Sequence, residues 1–221
     1  FRVEQARCML SAQRFAEAKL AYDELLRDEP DPAYFLGRGH ARMKLGDRAG
    51  AVADYDEVLA REPHHRIALN NRAFLCSQLR EPARALESLE TLIKLEPQAP
   101  VHRYDRAKAL FELGRYELSL AELSRVRDAF PDSATALLLE GRILRGLGRH
   151  AQAGQAFLRA VSLSPQDPVP LSFLADTHRR LGQWTKAAQA YDRLLGFVKP
   201  GGSQAAKLRA LRDEARREAK R

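Results

Sequence analysis

Cysteine, tryptophan and methionine are nearly missing from this 221-residue chain, at two, one and two residues. Two thiols cannot supply the disulfide framework that staples small secreted domains. Aromatic residues are only 7%, while alanine, leucine, arginine and glutamate dominate, which is the composition of an all-helical protein. No apolar run approaches the eighteen or so residues a membrane-spanning helix needs. Catalytic signatures are missing too: there is no C-x-x-C, H-E-x-x-H or G-x-S-x-G, and no paired-carboxylate arrangement. The six histidines, at 40, 64, 65, 102, 150 and 178, form no metal-ligand spacing. His64 and His65 follow Pro63 in a turn and read as surface residues; His178 reads as a half-buried, hydrogen-bonded side chain. Gly37 to Arg42 (GRGHAR) resembles a glycine-rich loop, yet it lacks the third glycine, follows no strand and lies within a helical pattern. These absences argue against an enzyme and imply no cofactor.

Proline is sparse but regular. Pro30, Pro63, Pro97, Pro131, Pro165 and Pro200 lie 33 to 35 residues apart, and proline cannot continue a helix. Twelve residues before each of the first five sits a small residue, Ala18, Ala51, Ala85, Ser119 and Ala153, and Ala187 continues the series. Four residues later come Tyr22, Tyr55, Leu89, Leu123, Phe157 and Tyr191, and three later Leu25, Val58, Leu92, Val126, Ala160 and Leu194. Steps of four and three place all three sites on one helical face. A second small site recurs upstream at Ala6, Gly39, Ala73, Ala107, Gly141 and Ala175, and turn glycines fall at 46, 114, 148 and 182. The repeated unit is helix, turn, helix, proline stop. Gln13 and Arg80 replace the turn glycine, and Pro82 opens a helix.

Segments such as RMKLGDRAGAVADYDEVLAREP and ALFELGRYELSLAELSRVRDAFP closely resemble tetratricopeptide repeats. The resemblance covers residues 1–201 and implies an all-α, right-handed solenoid of about six repeats, at 1–31, 32–64, 65–98, 99–132, 133–166 and 167–201. Residues 203–221 read as a capping helix, with Ser203 as its N-cap and Ala205, Leu208, Leu211, Ala215 and Ala219 along one face. Because the chain starts at Phe1, partway through a first helix, further repeats or another domain are expected upstream.

The resemblance further implies a non-catalytic scaffold that binds an extended peptide or helix of a protein partner in a concave groove lined by the first helix of each repeat. The groove candidates are His40, Lys44, Asn70, Asn71, Phe74, Tyr104, Lys108, Phe111, Arg142, Arg145, Asp176 and Arg179, with Asp105, Glu112, Ser172, Phe173 and Arg180 beside them. That set is mildly basic with aromatic patches. A carboxylate clamp for chaperone tails is disfavoured: Asn71 matches its central asparagine, but Leu36, His40, Val101 and Asp105 stand where the neighbouring repeats require other residues. A second reading is a periplasmic scaffold of a bacterial polysaccharide-export or secretion machine.

Net charge is +8, and half of it sits in residues 203–221, where seven Lys or Arg face three Asp or Glu. Elsewhere acidic and basic residues are mixed, which argues against nucleic acid. Cys8 and Cys76, in first helices two repeats apart, read as buried free thiols. Free thiols favour the cytosol slightly and are compatible with the periplasm of an envelope protein.

Overall fold

The computed structural model describes residues 1–221, which form thirteen α-helices, one short 3₁₀ turn and no strand. The chain divides into two compact units, residues 1–113 and 114–221. The first holds α1 (Arg2–Ser11), α2 (Phe15–Asp28), α3 (Pro32–Leu45), α4 (Arg48–Arg61), α5 (Arg66–Gln78), α6 (Pro82–Leu95) and α7 (Pro100–Glu112). The second holds α8 (Tyr116–Arg125), α9 (Ala134–Gly146), α10 (His150–Leu163), α11 (Pro168–Arg180), α12 (Trp184–Leu195) and α13 (Ser203–Glu218), with the 3₁₀ turn Arg127–Ala129 after α8. Within each unit every helix packs on its chain neighbours. No helix is long and apolar enough to cross a membrane.

The periodic prolines all lie between helices, and other prolines, at 32, 82, 100 and 168, open α3, α6, α7 and α11. That position needs no N–H, and the proline ring presets the helical φ. Asp31, Asp47, Ser133 and Asp167 cap the helices that follow them through side-chain oxygens. At the turns Gly46, Gly114, Gly148 and Gly182 adopt φ of 85°, 72°, 73° and 67°. Gln13 and Arg80 hold the same left-handed conformation at 59° and 63°. The turn geometry is therefore set by the repeat and not by the residue, at some backbone strain in those two places.

All six small sites of the second helices are fully buried, as are the bulky sites four residues on. The first-helix glycines show why. A Cβ on Gly39 would lie 3.0 Å from the Tyr55 ring, and one on Gly141 would overlap the ring of Phe157. At Gly141 the backbone approaches the ring so closely that a methyl has no room, whereas at Gly39 one would fit only with a small shift of the ring.

Several local expectations need correction. Cys76 is buried, but Cys8 is exposed. Its equivalents Ala41, Leu75, Ala109 and Ile143 are buried. Helix α13 is capped at Gly202, and Ser203 makes no capping bond. Ala205 and Ala215 of α13 are buried, Leu208 and Leu211 partly so, and Ala219 is exposed. Helix α8 stops at Arg125, before the expected helical site Val126, which is nonetheless buried. The Ser124 hydroxyl donates to the Ala121 carbonyl over 2.8 Å near the end of the helix.

Two glycines of the second unit give opposite expectations. Gly154 lies in mid-helix, and a Cβ there would meet only the Thr177 methyl at 3.5 Å, an ordinary contact. Gly154→Ala should therefore raise stability by about 0.5–1 kcal/mol through helix propensity. Gly141→Ala gains the same propensity but overpacks against Phe157, and should lower stability by a net ~1–2 kcal/mol. Urea denaturation of both variants checks this; equal shifts would show that the ring contact carries no constraint.

Candidate functional site

In the first unit α3 and α5 are tied to their neighbours by ion pairs, of which those to Asp54 are buried. Asp54 of α4 is 1% exposed and accepts from Arg38 of α3 at 2.6 Å, and Arg42 of the same helix lies 2.9 Å away. Arg38 also reaches Asp23 of α2 at 2.9 Å, so α3 is tied to the helices on both sides. The same joint recurs thirty-four residues later. Arg72 of α5 donates to Asp56 of α4 at 2.6 Å and, on α6, to Ser88 at 2.8 Å and Glu87 at 2.9 Å. Arg38, Arg72 and Arg106 share one position of the repeat; this periodic arginine is a legible signal that lay outside the small-and-bulky pattern.

Held in this way, α3, α5 and α7 bring many of the expected residues together around two adjoining recesses. The first, about 480 Å³, is lined by Leu10 of α1, Leu36, His40 and Met43 of α3, and Ile67 and Asn71 of α5. The second, about 270 Å³, is lined by Asn70, Asn71 and Phe74 of α5 and by Asp105 and Lys108 of α7. Asn71 borders both. Its Nδ2 donates to the Tyr55 hydroxyl at 3.2 Å, and burial pushes that phenol up to about 12, against the opposing hydrogen bond from Asn71. Phe74 and Ile67 are 56% and 59% exposed, an unusual exposure for large apolar side chains placed beside recesses. Lys108 pairs with Asp105 at 3.2 Å and lies 5.8 Å from the Tyr104 ring centroid. The His40 imidazole is held below its ordinary value, first by loss of hydration and then by the neighbouring Lys44 charge. Tyr104 and Phe111 are half-buried on α7, and Lys44 and Glu112 are exposed at helix ends.

In the second unit the expected residues form one cluster on α9 and α11. Arg145 and Arg142 lie over the Phe173 ring, at 4.6 and 5.8 Å from its centroid. Asp176 accepts from Arg145 at 3.4 Å, Arg179 at 3.0 Å and Arg180 at 2.9 Å. Burial works to raise the Asp176 carboxyl, but the hydrogen bonds from Arg180 and Arg179 outweigh it, and its pKa falls below the ordinary value. The Ser172 hydroxyl is turned back onto the Val169 carbonyl at 2.7 Å. Arginines expected to line the groove are thus engaged with one carboxylate and one ring.

Three features escaped the sequence pattern. His65 caps α5, its Nδ1 accepting from Ala68 N at 3.2 Å. His102 is buried against Glu96 at 2.9 Å. A recess of about 600 Å³ opens on the α8–α10 side, with Leu120, Leu137, Ala156 and Arg159 in its lining, where α8 ends early although the repeat period runs on unbroken. No group of three or more His, Cys, Asp or Glu side chains is arranged to hold a metal ion.

Consecutive helix pairs with left-handed turn residues, presenting exposed side chains on their first helices, define a helical-repeat module. The tetratricopeptide repeat model matches residues 36–100, 77–121 and 104–168, and a second model of the same description matches 171–204. The chain belongs to the tetratricopeptide repeat family, whose members are generally protein-interaction scaffolds. Stress-induced-phosphoprotein 1 of Caenorhabditis elegans is 34% identical over 89 residues, 39% of this chain, which spans only 26% of that relative's length. A tetratricopeptide repeat protein of Parabacteroides merdae superposes with a TM-score of 0.73 at 20% identity, over 97% of this chain and 84% of that one. YrrB, a TPR protein with an unusual peptide-binding site, superposes with a TM-score of 0.67 at 16% identity, over 86% and 98%. At these identities the solved structures establish the fold alone.

Asp54 sits deep enough for its loss to be felt. Asp54→Ala leaves Arg38 and Arg42 facing each other without their buried carboxylate, and should destabilise the first unit by about 3–5 kcal/mol. Urea denaturation followed by circular dichroism reads this directly; a change under ~1 kcal/mol would show the joint to be a surface-type pair.

Proposed function

We propose that this chain is a non-catalytic protein-interaction scaffold whose first-helix faces hold an extended or helical segment of a protein partner. The observation that carries the reading is the row Ile67, Asn70, Asn71 and Phe74 on one side of α5, between the two recesses. Large apolar side chains left in water beside a recess offer anchors for a partner's own apolar side chain. Asn70 and Asn71 each use one amide donor internally, on the Arg66 carbonyl and the Tyr55 hydroxyl. Their carboxamide oxygens remain to accept from a peptide N–H. Lys108 and Asp105 lie across the second recess and would read charge of either sign.

The partner is a protein segment and not a nucleic acid, since cations on this face alternate with acids and build no continuous stripe. A chaperone tail held by a carboxylate clamp is also disfavoured, because Leu36 and Val101 occupy positions where the clamp needs polar donors. YrrB, a TPR protein with an unusual peptide-binding site, offers a precedent for peptide recognition on this fold.

A displayed peptide library selected on the folded chain tests the proposal. Selected peptides should lose about tenfold or more in affinity on Phe74→Ala and on Ile67→Ala. Leu20→Ala, at an equally exposed site of α2, should leave affinity unchanged. Peptides indifferent to both α5 substitutions, or lost with Leu20→Ala, would place binding elsewhere.

A further inference from the structure

The two recesses beside α5 differ in chemistry, and the difference specifies more of the partner. The first is walled by Leu10, Leu36, Met43 and Ile67, and no Asp or Glu lines it. Its titratable members are Arg7 of α1, His40 of α3 and the phenol of Tyr22, and Lys44 lies close enough to act on His40. The bias begins in the sequence, because α3 and α5 contain no acidic residue. Their arginines 38, 42 and 72 turn instead toward carboxylates of α2, α4 and α6. Arg7 pairs with Glu4 of its own helix at 2.9 Å, but those side chains are 58% and 73% exposed. A pair of that kind contributes little and exchanges readily for another carboxylate. The second recess carries both signs, Asp105 and Lys108, already paired at 3.2 Å. The positive zone therefore spans one recess, with Glu4 on one side of it and Asp105 on the other.

The first recess also keeps its depth. A Cβ on Gly37 would overlap the buried ring of Tyr22, so the α3 backbone rests directly on that ring and the wall has no side chain to fill the space. A volume of about 480 Å³ holds one bulky apolar side chain, and the flexible thioether of Met43 adapts to its shape. The two asparagines bear on backbone conformation. Their carboxamide oxygens accept from N–H groups, which a helix has already committed to its own carbonyls. An extended chain keeps those donors available. Neighbouring helices at ordinary packing distance set the two recesses about 10 Å apart, which three extended residues span at about 3.3 Å each.

We infer that the partner segment is an extended chain in which a bulky apolar residue, with an Asp or Glu beside it, fills the first recess. A second apolar residue three positions away meets Phe74 at the second recess. The inference rests on the reading that first-helix faces receive the partner, and it adds the conformation and the residue chemistry of what is received.

The probe is the peptide Ser-Asp-Leu-Ser-Gly-Leu-Asp-Ser, labelled with fluorescein at its N-terminus and amidated at its C-terminus, with a counterpart carrying Asn for Asp. Titrated against the full chain, the acidic peptide should bind about three- to tenfold tighter than the amide peptide. That preference should vanish when Arg7→Gln and Lys44→Gln are combined, both at exposed sites, and should shrink with added salt. Replacing both leucines of the peptide by alanine should cost about tenfold or more. Methylating the backbone nitrogens of the Ser and Gly between the leucines should abolish binding. Equal affinity of the two peptides would overturn the inference, as would a preference that survives the double variant. Tolerance of both N-methyl groups would replace the extended chain by a helical segment. If neither peptide binds while library-selected peptides still depend on Ile67 and Phe74, this motif falls and the broader reading stands. Library peptides indifferent to those two residues would remove the broader reading as well.

Discussion

The close approach of a side-chain-poor backbone to a large buried ring is the constraint on which the rest of this structure depends. Where Gly141 meets Phe157 no space remains for a Cβ, and where Gly39 meets Tyr55 the ring would have to give by a few tenths of an ångström. With the two helices of a pair at that separation, the small sites at Ala51 and Ala153 and the apolar sites at Val58 and Ala160 are fully excluded from water. Each pair then presents a fixed ridge on which the next helix packs. The left-handed turn follows from the same requirement. A connection of a few residues must reverse the chain at a set distance, and Arg80 and Gln13 accept a conformation that favours glycine in order to supply it.

Packing fixes distance, while the ionic joints add register. Hydrophobic contact alone leaves a helix free to slide or rotate slightly along its neighbour; a buried bidentate pair does not, because an unpaired charge at that depth is strongly penalised. Arg38 engages α2 and α4 from α3, and Arg72 engages α4 and α6 from α5. Those are the helices that carry His40, Asn71 and Phe74. Structural order on one side of α3 and α5 thus supports an adaptable, partly apolar surface on the other. In the second unit the same division holds: Phe157 belongs to the core, Phe173 stacks upon it, and the arginines stand on Phe173.

Much of the fold was legible in the sequence because it is written six times. Proline stops, small sites and bulky sites each recur, so an exception such as Ser119 or Gln13 is outvoted by its equivalents. What did not repeat was hard to read. Cys8 is exposed although its equivalents in the other repeats are buried, which no local pattern encodes. The early end of α8 at Arg125 has no counterpart in the other repeats, and α13 is capped by the backbone at Gly202. Of the site, the sequence indicated which positions face outward, and α5 and α7 do bring Asn70, Asn71, Phe74 and Lys108 around one recess. It could not show that Arg145, Arg179 and Arg180 converge on Asp176, since that depends on the spacing between helices and on rotamers, not on the repeat period.

In the proposed function the second helices carry structure and the first helices recognition. Photo-crosslinking from a benzophenone placed within a library-selected peptide, with adducts mapped by mass spectrometry on the full chain, tests that division most directly. Adducts should fall on the outward positions of α3, α5 and α7. Adducts concentrated on α4, α6 or α10 instead would contradict it.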